Sequence, residues 1–155
     1  MYPAKFDYHR ASSVDEAVWL LQEHEGAKLL AGGHSLIPSM KLRLAQPAVL
    51  VDLGAIDGLR GIESTDDGEL NIGAMTTYAE IAADDRAKSY GALHDAVSNI
   101  GDVQVRNRGT IGGNLAHNDP ASDLPAVALV LDATLHVVGP DGLHSTSQDY
   151  RPPWK

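Results

Sequence analysis

Two glycine-containing stretches decide how this sequence is interpreted: Leu29-Leu30-Ala31-Gly32-Gly33-His34-Ser35-Leu36 and Thr110-Ile111-Gly112-Gly113-Asn114. Each follows a segment with the pattern of packed structure. Glycine has no Cβ and adopts positive φ, so it suits places where main chain approaches a ligand. Successive N–H groups in such turns form an anion-binding concavity. Two stretches of this kind in a chain of 155 residues predict one large ligand bridged by both, and a diphosphate is the natural candidate.

The common nucleotide-binding motifs are absent from the sequence. No Gly-x-x-x-x-Gly-Lys-Ser/Thr is present, and no Gly-x-Gly-x-x-Gly opens a predicted helix. A nucleoside-triphosphate site of the usual kind and an ordinary Rossmann site are therefore disfavoured.

Composition excludes several classes of function. The net charge of −9 argues against nucleic acid as a partner, because phosphate neutralisation needs a surface rich in Lys and Arg. No apolar run reaches the roughly 20 residues that span a bilayer, so no membrane span is expected. There is no cysteine, which excludes a disulfide or a Cys-held iron–sulfur cluster in this chain. The first residues lack the apolar stretch of a signal peptide, so the cytoplasm is the expected location.

The first third of the sequence predicts a small α/β unit. Ser13 and Glu16 have the spacing of a capping box at the start of a helix, and Gly26 is expected just after its end. Residues 27–31 are predicted to form a buried strand, and residues 48–53 a second strand that could pair with it in parallel. Residues 37–44 have a mixed pattern with Pro38 near the start.

The remainder predicts further strands and helices. A strand is expected at 69–74, and Thr77 with Glu80 forms a second capping box. A helix is predicted at 89–100, and another after Asp123 as N-cap. A strand at 134–138, a tight turn and a return strand from residue 143 complete the pattern.

Several short motifs occur in a fixed order: Ala-Gly-Gly-His-Ser-Leu, Met40-Lys41-Leu42-Arg43-Leu44, Val-Asp-Leu, Ile-Gly-Ala, Thr-Ile-Gly-Gly-Asn and Ser-Asp-Leu-Pro. This order resembles the FAD-binding medium subunit of molybdenum hydroxylases of the carbon monoxide dehydrogenase and xanthine dehydrogenase type. The match extends from the N-terminus to about Tyr150. A joint match to both glycine stretches and the strands between them is more specific than either Gly-Gly pair.

The resemblance implies an α/β (α+β) fold of two lobes that clasp FAD, of the vanillyl-alcohol-oxidase and PCMH type. Residues 1–56 would form the N-terminal lobe and residues 57–155 an incomplete second lobe. The C-terminal domain that follows in family members would be absent, so the fold would be truncated. By the same resemblance, FAD would receive electrons from a two-iron two-sulfur small subunit, in a complex whose molybdopterin-containing large subunit oxidises the substrate.

The resemblance also assigns residues to FAD. The first diphosphate loop would comprise Leu29, Leu30, Ala31, Gly32, Gly33, His34, Ser35 and Leu36. The second would comprise Thr110, Ile111, Gly112, Gly113 and Asn114. Backbone N–H groups of the four glycines would neutralise the diphosphate, with Ser35, Thr110 and Asn114 adding hydrogen bonds. Asp123, as an acceptor, would bind ribose or ribityl hydroxyls, and Ile100 would be a bulky apolar residue against the cofactor. No catalytic residue and no metal ligand is predicted.

Two alternatives remain open at this stage. A truncated module could fold and dock to partner subunits without binding flavin. A hydrolase could use His34 and Ser35, although the two are adjacent, no Gly-x-Ser-x-Gly elbow is present, and a third residue would have to orient the histidine.

Overall fold

Three parallel strands near the N-terminus form the first sheet, in the order β1-β3-β2. The computed structural model describes residues 1–146, so the predicted match beyond them lies outside the described residues. The strands are β1 (Asp7–Arg10), β2 (Lys28–Leu30) and β3 (Val49–Asp52). Leu29 of β2 pairs with Val51 of β3, which confirms the predicted parallel pairing.

The prediction that β2 is buried was wrong. β3 lies in the centre of the sheet and its first three residues are buried, whereas β2 is an edge strand whose Leu29 is 43% exposed. An apolar sequence alone does not distinguish a central strand from an edge strand, because the sheet order decides which strand is covered.

Helix α1 (Val14–Glu23) packs on this sheet and begins as predicted. The Ser13 side chain accepts a hydrogen bond from the Glu16 amide at 3.1 Å. The box is not reciprocal, because the Glu16 carboxylate instead accepts from Ser12. Gly26 has the positive φ expected of a residue that ends a helix, but it lies two positions beyond the C-cap His24. The first hydrophobic cluster comprises Ala11, Ala17, Leu20, Val49, Val51 and Ile56.

Helix α2 (Leu36–Lys41) connects β2 to β3. The mixed pattern of residues 37–44 gave no clear prediction here. Pro38 is accommodated because it lies in the first turn, where helix amides have no intrahelical acceptor. Leu36, which was predicted to belong to the first diphosphate loop, is the first residue of α2.

The second half of the structure begins with a 3₁₀ turn at Asp57–Leu59 and an antiparallel hairpin of β4 (Ile62–Ser64) and β5 (Leu70–Ile72). The predictions missed β4, while β5 lies within the predicted strand. Helix α3 (Tyr78–Ala83) follows, and its predicted capping box is complete: Thr77 and Glu80 each bind the other's backbone amide. A final hairpin joins β6 (Leu135–Gly139) to β7 (Gly142–Thr146), as predicted.

Five further helices lie between the two hairpins. The predicted helix at 89–100 is confirmed as α5. Two short helices, α4 and α6, were not predicted, and α7 replaces the loop expected at the second glycine stretch. The bounds are α4 (Asp85–Lys88), α5 (Gly91–Asn99), α6 (Val103–Arg106), α7 (Ile111–His117) and α8 (Asp123–Val130).

A second hydrophobic cluster holds these helices against the first hairpin. Its buried members are Ile62, Tyr78, Ile81, Ala87, Leu93, Val97 and Leu124. All of them lie after residue 56, whereas the buried members of the first cluster lie within residues 1–56, with Leu59 packed against them. None of the described helices has the length and apolar character needed to cross a membrane.

Two leucines of α8 offer a matched test of this packing. Leu124 is 2% exposed in the second cluster, whereas Leu129 on the same helix is 55% exposed. We expect Leu124→Ala to lower the free energy of unfolding by about 2–5 kcal/mol, because it leaves a cavity. Leu129→Ala should change it by no more than about 0.5 kcal/mol. Urea unfolding measures both, and equal effects would contradict the placement of α8.

Candidate FAD site

The structure brings the two glycine stretches into direct contact. A Cβ on Gly113 would lie 3.4 Å from the Cβ of Ala31. A Cβ on Gly32 would lie 2.2 Å from the carbonyl oxygen of Arg108, just before the second stretch. No side chain fits between these backbones, so the absence of a Cβ at Gly32 is a packing requirement of the protein itself.

The first stretch is a turn between β2 and α2. Leu29 and Leu30 belong to β2, and the Leu30 carbonyl accepts from the Leu53 amide at 3.1 Å. They are therefore strand residues and not part of the predicted loop. Gly33 has φ +76°, where a side chain would be strained, and its carbonyl accepts from the Ile37 amide at 2.9 Å.

The amides of residues 31–36 are the unsatisfied donors of this site. Within the described part of the chain, none of these consecutive N–H groups has a backbone or side-chain acceptor. The residues are half-buried or exposed. Such a run of free amides is what an anion would need, because each one can donate without breaking an existing bond.

His34 and Ser35 do not form a catalytic pair. The His34 Nδ1 lies 3.3 Å from the carbonyl oxygen of Gly32. His34 and Ser35 are both exposed. Ser35 is the N-cap residue of α2, but its side chain makes no capping bond. The hydrolase alternative needs a carboxylate that orients His34, and in the described residues the histidine contacts a backbone carbonyl instead.

The second stretch is the first turn of α7, and its glycine amides, which are predicted to bind phosphate, already donate within the protein. Thr110 is the N-cap, and all four following amides already have acceptors within the protein. The pairs are Ile111 N to Thr76 O at 3.1 Å, Gly112 N to Ala74 O at 2.9 Å, Gly113 N to Thr110 Oγ1 at 3.2 Å and Asn114 N to Thr110 O at 3.0 Å. Gly112 is required because a Cβ would lie 2.6 Å from the Cβ of Ala74.

The side chains of Thr110 and Asn114 also face the protein. Thr110 is buried and caps α7. Asn114 donates through Nδ2 to the Tyr78 hydroxyl at 2.9 Å and accepts through Oδ1 from the Ser122 hydroxyl at 2.6 Å. Burial raises the pKa of Tyr78, and the hydrogen bond from Asn114 opposes that rise. Asn114 keeps a second Nδ2 hydrogen and the Thr110 hydroxyl can still donate, so their predicted hydrogen bonds to a ligand stay predictions.

Asp123 and Ile100 occupy different environments. Asp123 is the first residue of α8, and Ser122 is the N-cap, so the prediction of Asp123 as the cap was wrong by one position. Asp123 is exposed, and no hydrogen bond or ion pair with another described residue occupies its carboxylate. Ile100 ends α5, is half-buried and packs on the second hydrophobic cluster.

Among the described residues, no group of three or more His, Asp or Glu side chains could hold a metal ion. His117 and Asp119 form a pair whose Nε2 and Oδ2 atoms are 4.0 Å apart. Both side chains are about half exposed.

Several residues that build the site are not among the predicted cofactor-binding residues. Arg108 and Gly109 form the surface against Gly32, while Tyr78 and Ser122 hold Asn114. Gly109 had a visible signal, since it directly precedes Thr110, and a Cβ there would lie 2.5 Å from the Tyr78 ring. The partners of Asn114 carry no comparable signal.

The start of α3 supports the second stretch. The Tyr78 amide donates to the Gly109 carbonyl at 3.1 Å, and Thr77 forms an isolated β-bridge with Thr110. Glu80 fixes this end of the helix through Thr77 and an ion pair with Arg60 at 2.7 Å. Partial desolvation raises the pKa of Glu80, but the hydrogen bonds from Thr77 and Arg60 outweigh it, so the pKa is lowered overall.

The lowered pKa of Glu80 predicts a pH-dependent contribution to stability. A carboxylate whose folded pKa is depressed stabilises the fold above its unfolded value of 4.5 and loses that effect as pH falls through the folded value. We expect Glu80→Gln to cost about 0.5 kcal/mol at pH 7, because solvent screens a pair whose Glu80 side chain is 38% exposed. Urea unfolding should show that cost shrinking below pH 4.5, and a constant cost down to pH 3 would contradict the assignment.

The contact at Gly32 gives a second prediction. Gly32→Ala should lower the free energy of unfolding by about 1–3 kcal/mol, because the new methyl group overlaps the Arg108 carbonyl and must displace backbone. Gly58→Ala is the matched control, since nothing lies within 4 Å of its Cβ position and its φ is not positive. If the two variants unfold at the same urea concentration, the stretches do not meet as described.

Comparison with known proteins agrees with the resemblance seen in the sequence. Residues 4–148 match the family described as FAD binding domain in molybdopterin dehydrogenase. The carbon monoxide dehydrogenase medium chain of Hydrogenophaga pseudoflava is 45% identical over 151 residues, which cover 96% of this chain and 52% of the relative. The xanthine dehydrogenase FAD-binding subunit of Escherichia coli O157:H7 is 34% identical over 137 residues, covering 88% of this chain and 47% of the relative.

Solved structures give the same result for the fold. A structure of carbon monoxide dehydrogenase from Hydrogenophaga pseudoflava, lacking the Mo-pyranopterin moiety of its cofactor, matches with a TM-score of 0.92 at 45% identity. The match covers 96% of this chain and 52% of the solved one. The chain thus spans about half the length of the relatives that it matches. It belongs to the FAD-binding domain family of the molybdopterin dehydrogenases, the medium chains of molybdenum hydroxylases, and the cofactor of that family is FAD.

Proposed function

We propose that this chain binds the diphosphate of FAD with the free amides of residues 31–36 and serves as the electron-transfer medium subunit of a molybdenum hydroxylase. The observation that carries the proposal is the run of unsatisfied N–H groups at the contact of the two glycine stretches. With a net charge of −9, the chain would attract an anion through local backbone dipoles and not through its overall field.

The residues fit the cofactor in one half of the expected site. The amides of residues 31–36 would hold the diphosphate, and the exposed carboxylate of Asp123 would accept hydrogen bonds from ribose or ribityl hydroxyls. The second stretch would act as a rigid wall, since its amides are paired internally. Ile100 remains the proposed apolar contact. The bound flavin would supply the redox chemistry, and the protein would supply position and electrostatics.

The wider role follows from the relatives and is part of the proposal. Electrons would come from a two-iron two-sulfur centre on a small subunit and leave for an acceptor, in a complex whose large subunit carries molybdopterin. The medium-chain relatives of carbon monoxide dehydrogenase support this assignment. We also propose the division of the chain at residue 56, which the two separate hydrophobic clusters support. The cytoplasmic location stays a prediction.

A second candidate, a docking module that binds no flavin, is favoured by one observation. Four glycine amides were predicted to bind the diphosphate, and two of them, those of Gly112 and Gly113, donate within the protein. Under this alternative, the purified chain would be colourless and would show no affinity for added FAD.

A titration with FAD, ADP and AMP tests the proposal on the purified chain. If the amides of residues 31–36 bind the diphosphate, FAD and ADP should bind and AMP should bind more weakly. Calorimetry gives the affinities, and the visible spectrum reports the flavin. No heat and no spectral change with FAD would favour the docking module, and equal affinities for ADP and AMP would contradict a diphosphate site.

Gly33→Ala is the sharpest variant for this test, with Gly68→Ala as its matched control. Both glycines have a left-handed φ, +76° and +83°, so both variants carry similar backbone strain. Gly33 lies in the run of free amides, whereas Gly68 lies in the turn between β4 and β5. We expect Gly33→Ala to weaken FAD binding about tenfold, the loss of roughly one charge-assisted hydrogen bond. Gly68→Ala should leave the affinity unchanged, and an equal effect would contradict the placement.

A further inference from the structure

Asn114 links three elements through its side-chain amide. Its two polar atoms bind the Tyr78 hydroxyl at the start of α3 and the Ser122 hydroxyl at the start of α8, at 2.9 and 2.6 Å. Asn114 itself lies in the first turns of α7. One half-buried side chain therefore fixes the ends of two helices against the second glycine stretch.

Ser122 and Ser35 are hydroxyl residues that begin helices in the described chain without making a capping bond. The side chains of Ser13, Thr77 and Thr110 each accept a hydrogen bond from an amide of their own helix. Ser122 makes no such bond, and its hydroxyl donates to Asn114 instead. A capping bond ordinarily stabilises a helix end, and the hydrogen bond to Asn114 shows that the Ser122 side chain instead binds another element, α7.

Tyr78 provides the fixed end of this link. It is buried in the second hydrophobic cluster, its amide donates to the Gly109 carbonyl at 3.1 Å, and its ring lies against Gly109. The backbone and core contacts of Tyr78 therefore hold its hydroxyl in place. Asn114 transmits that position to Ser122, and Asp123 is the next residue in the chain.

We propose that Asn114 is a positioning residue: the Tyr78–Asn114–Ser122 link sets the start of α8, and with it the carboxylate of Asp123, beside the second glycine stretch. This inference rests on the proposed function in one respect: the hydroxyl that Asp123 binds would belong to FAD. The link itself can be tested on the chain without any cofactor.

Hydrogen exchange provides the cofactor-independent test. The amides of residues 127–129 close the first turn of α8, so their exchange reports the order of that helix end. We expect Asn114→Ala and Ser122→Ala each to accelerate this exchange about tenfold, and the double variant no more than either one. Ser122→Thr keeps a hydroxyl and should restore the slow exchange. Asn99→Ala is the matched control, because the Asn99 side chain bonds only within its own helix.

FAD titration of the same variants adds the functional readout. Asn114→Ala, Ser122→Ala and Tyr78→Phe should weaken FAD binding by similar factors, and each should have no further effect once Asp123→Asn is present. Additive effects on exchange, or no effect of the single variants, would overturn the link. A wild-type chain that fails to bind FAD would instead overturn the proposed function, while the exchange results still decide the link.

Discussion

The contact between Gly32 and the carbonyl of Arg108 is the constraint on which the arrangement of the site depends. It is a meeting of two backbones with no room for a Cβ at the glycine position. Through it, a turn that leaves a parallel sheet is held against the segment that enters α7. Together with the approach of Gly113 to Ala31, this contact places the free amides of residues 31–36 beside the second stretch.

Glycines that look equivalent in the sequence are required at their positions for different physical reasons. Gly32 and Gly112 are required by neighbouring backbone and by Ala74, whereas Gly33 is required by its left-handed φ. In the described residues, Gly32 and Gly33 lie in the run of unpaired amides, whereas the amide of Gly112 donates to Ala74. The family match establishes FAD as the cofactor of its members, and the geometry shows that the two stretches differ in the amides that they leave unpaired.

Local signals predicted much of the fold, and long-range contacts account for the errors. The cap at Ser13, the box at Thr77 and Glu80 and the hairpin turn near residue 140 depend on residues a few positions apart, which a sequence displays directly. Helix α7 could not be predicted in the same way. Gly-Gly disfavours a helix, and its amides are satisfied partly by Ala74 and Thr76, more than 30 residues away. The partner of Asn114 at Tyr78 is equally remote in sequence.

The internal pairing of the second stretch separates folding from ligand capture. Because every amide from Ile111 to Asn114 already has an acceptor, α7 is complete before any ligand is present. Binding would then involve little coupled folding, and the loss of chain entropy would fall on the short turn between β2 and α2. Under the proposed function, the first turn of α7 would therefore need no ligand atom to complete its backbone hydrogen bonds.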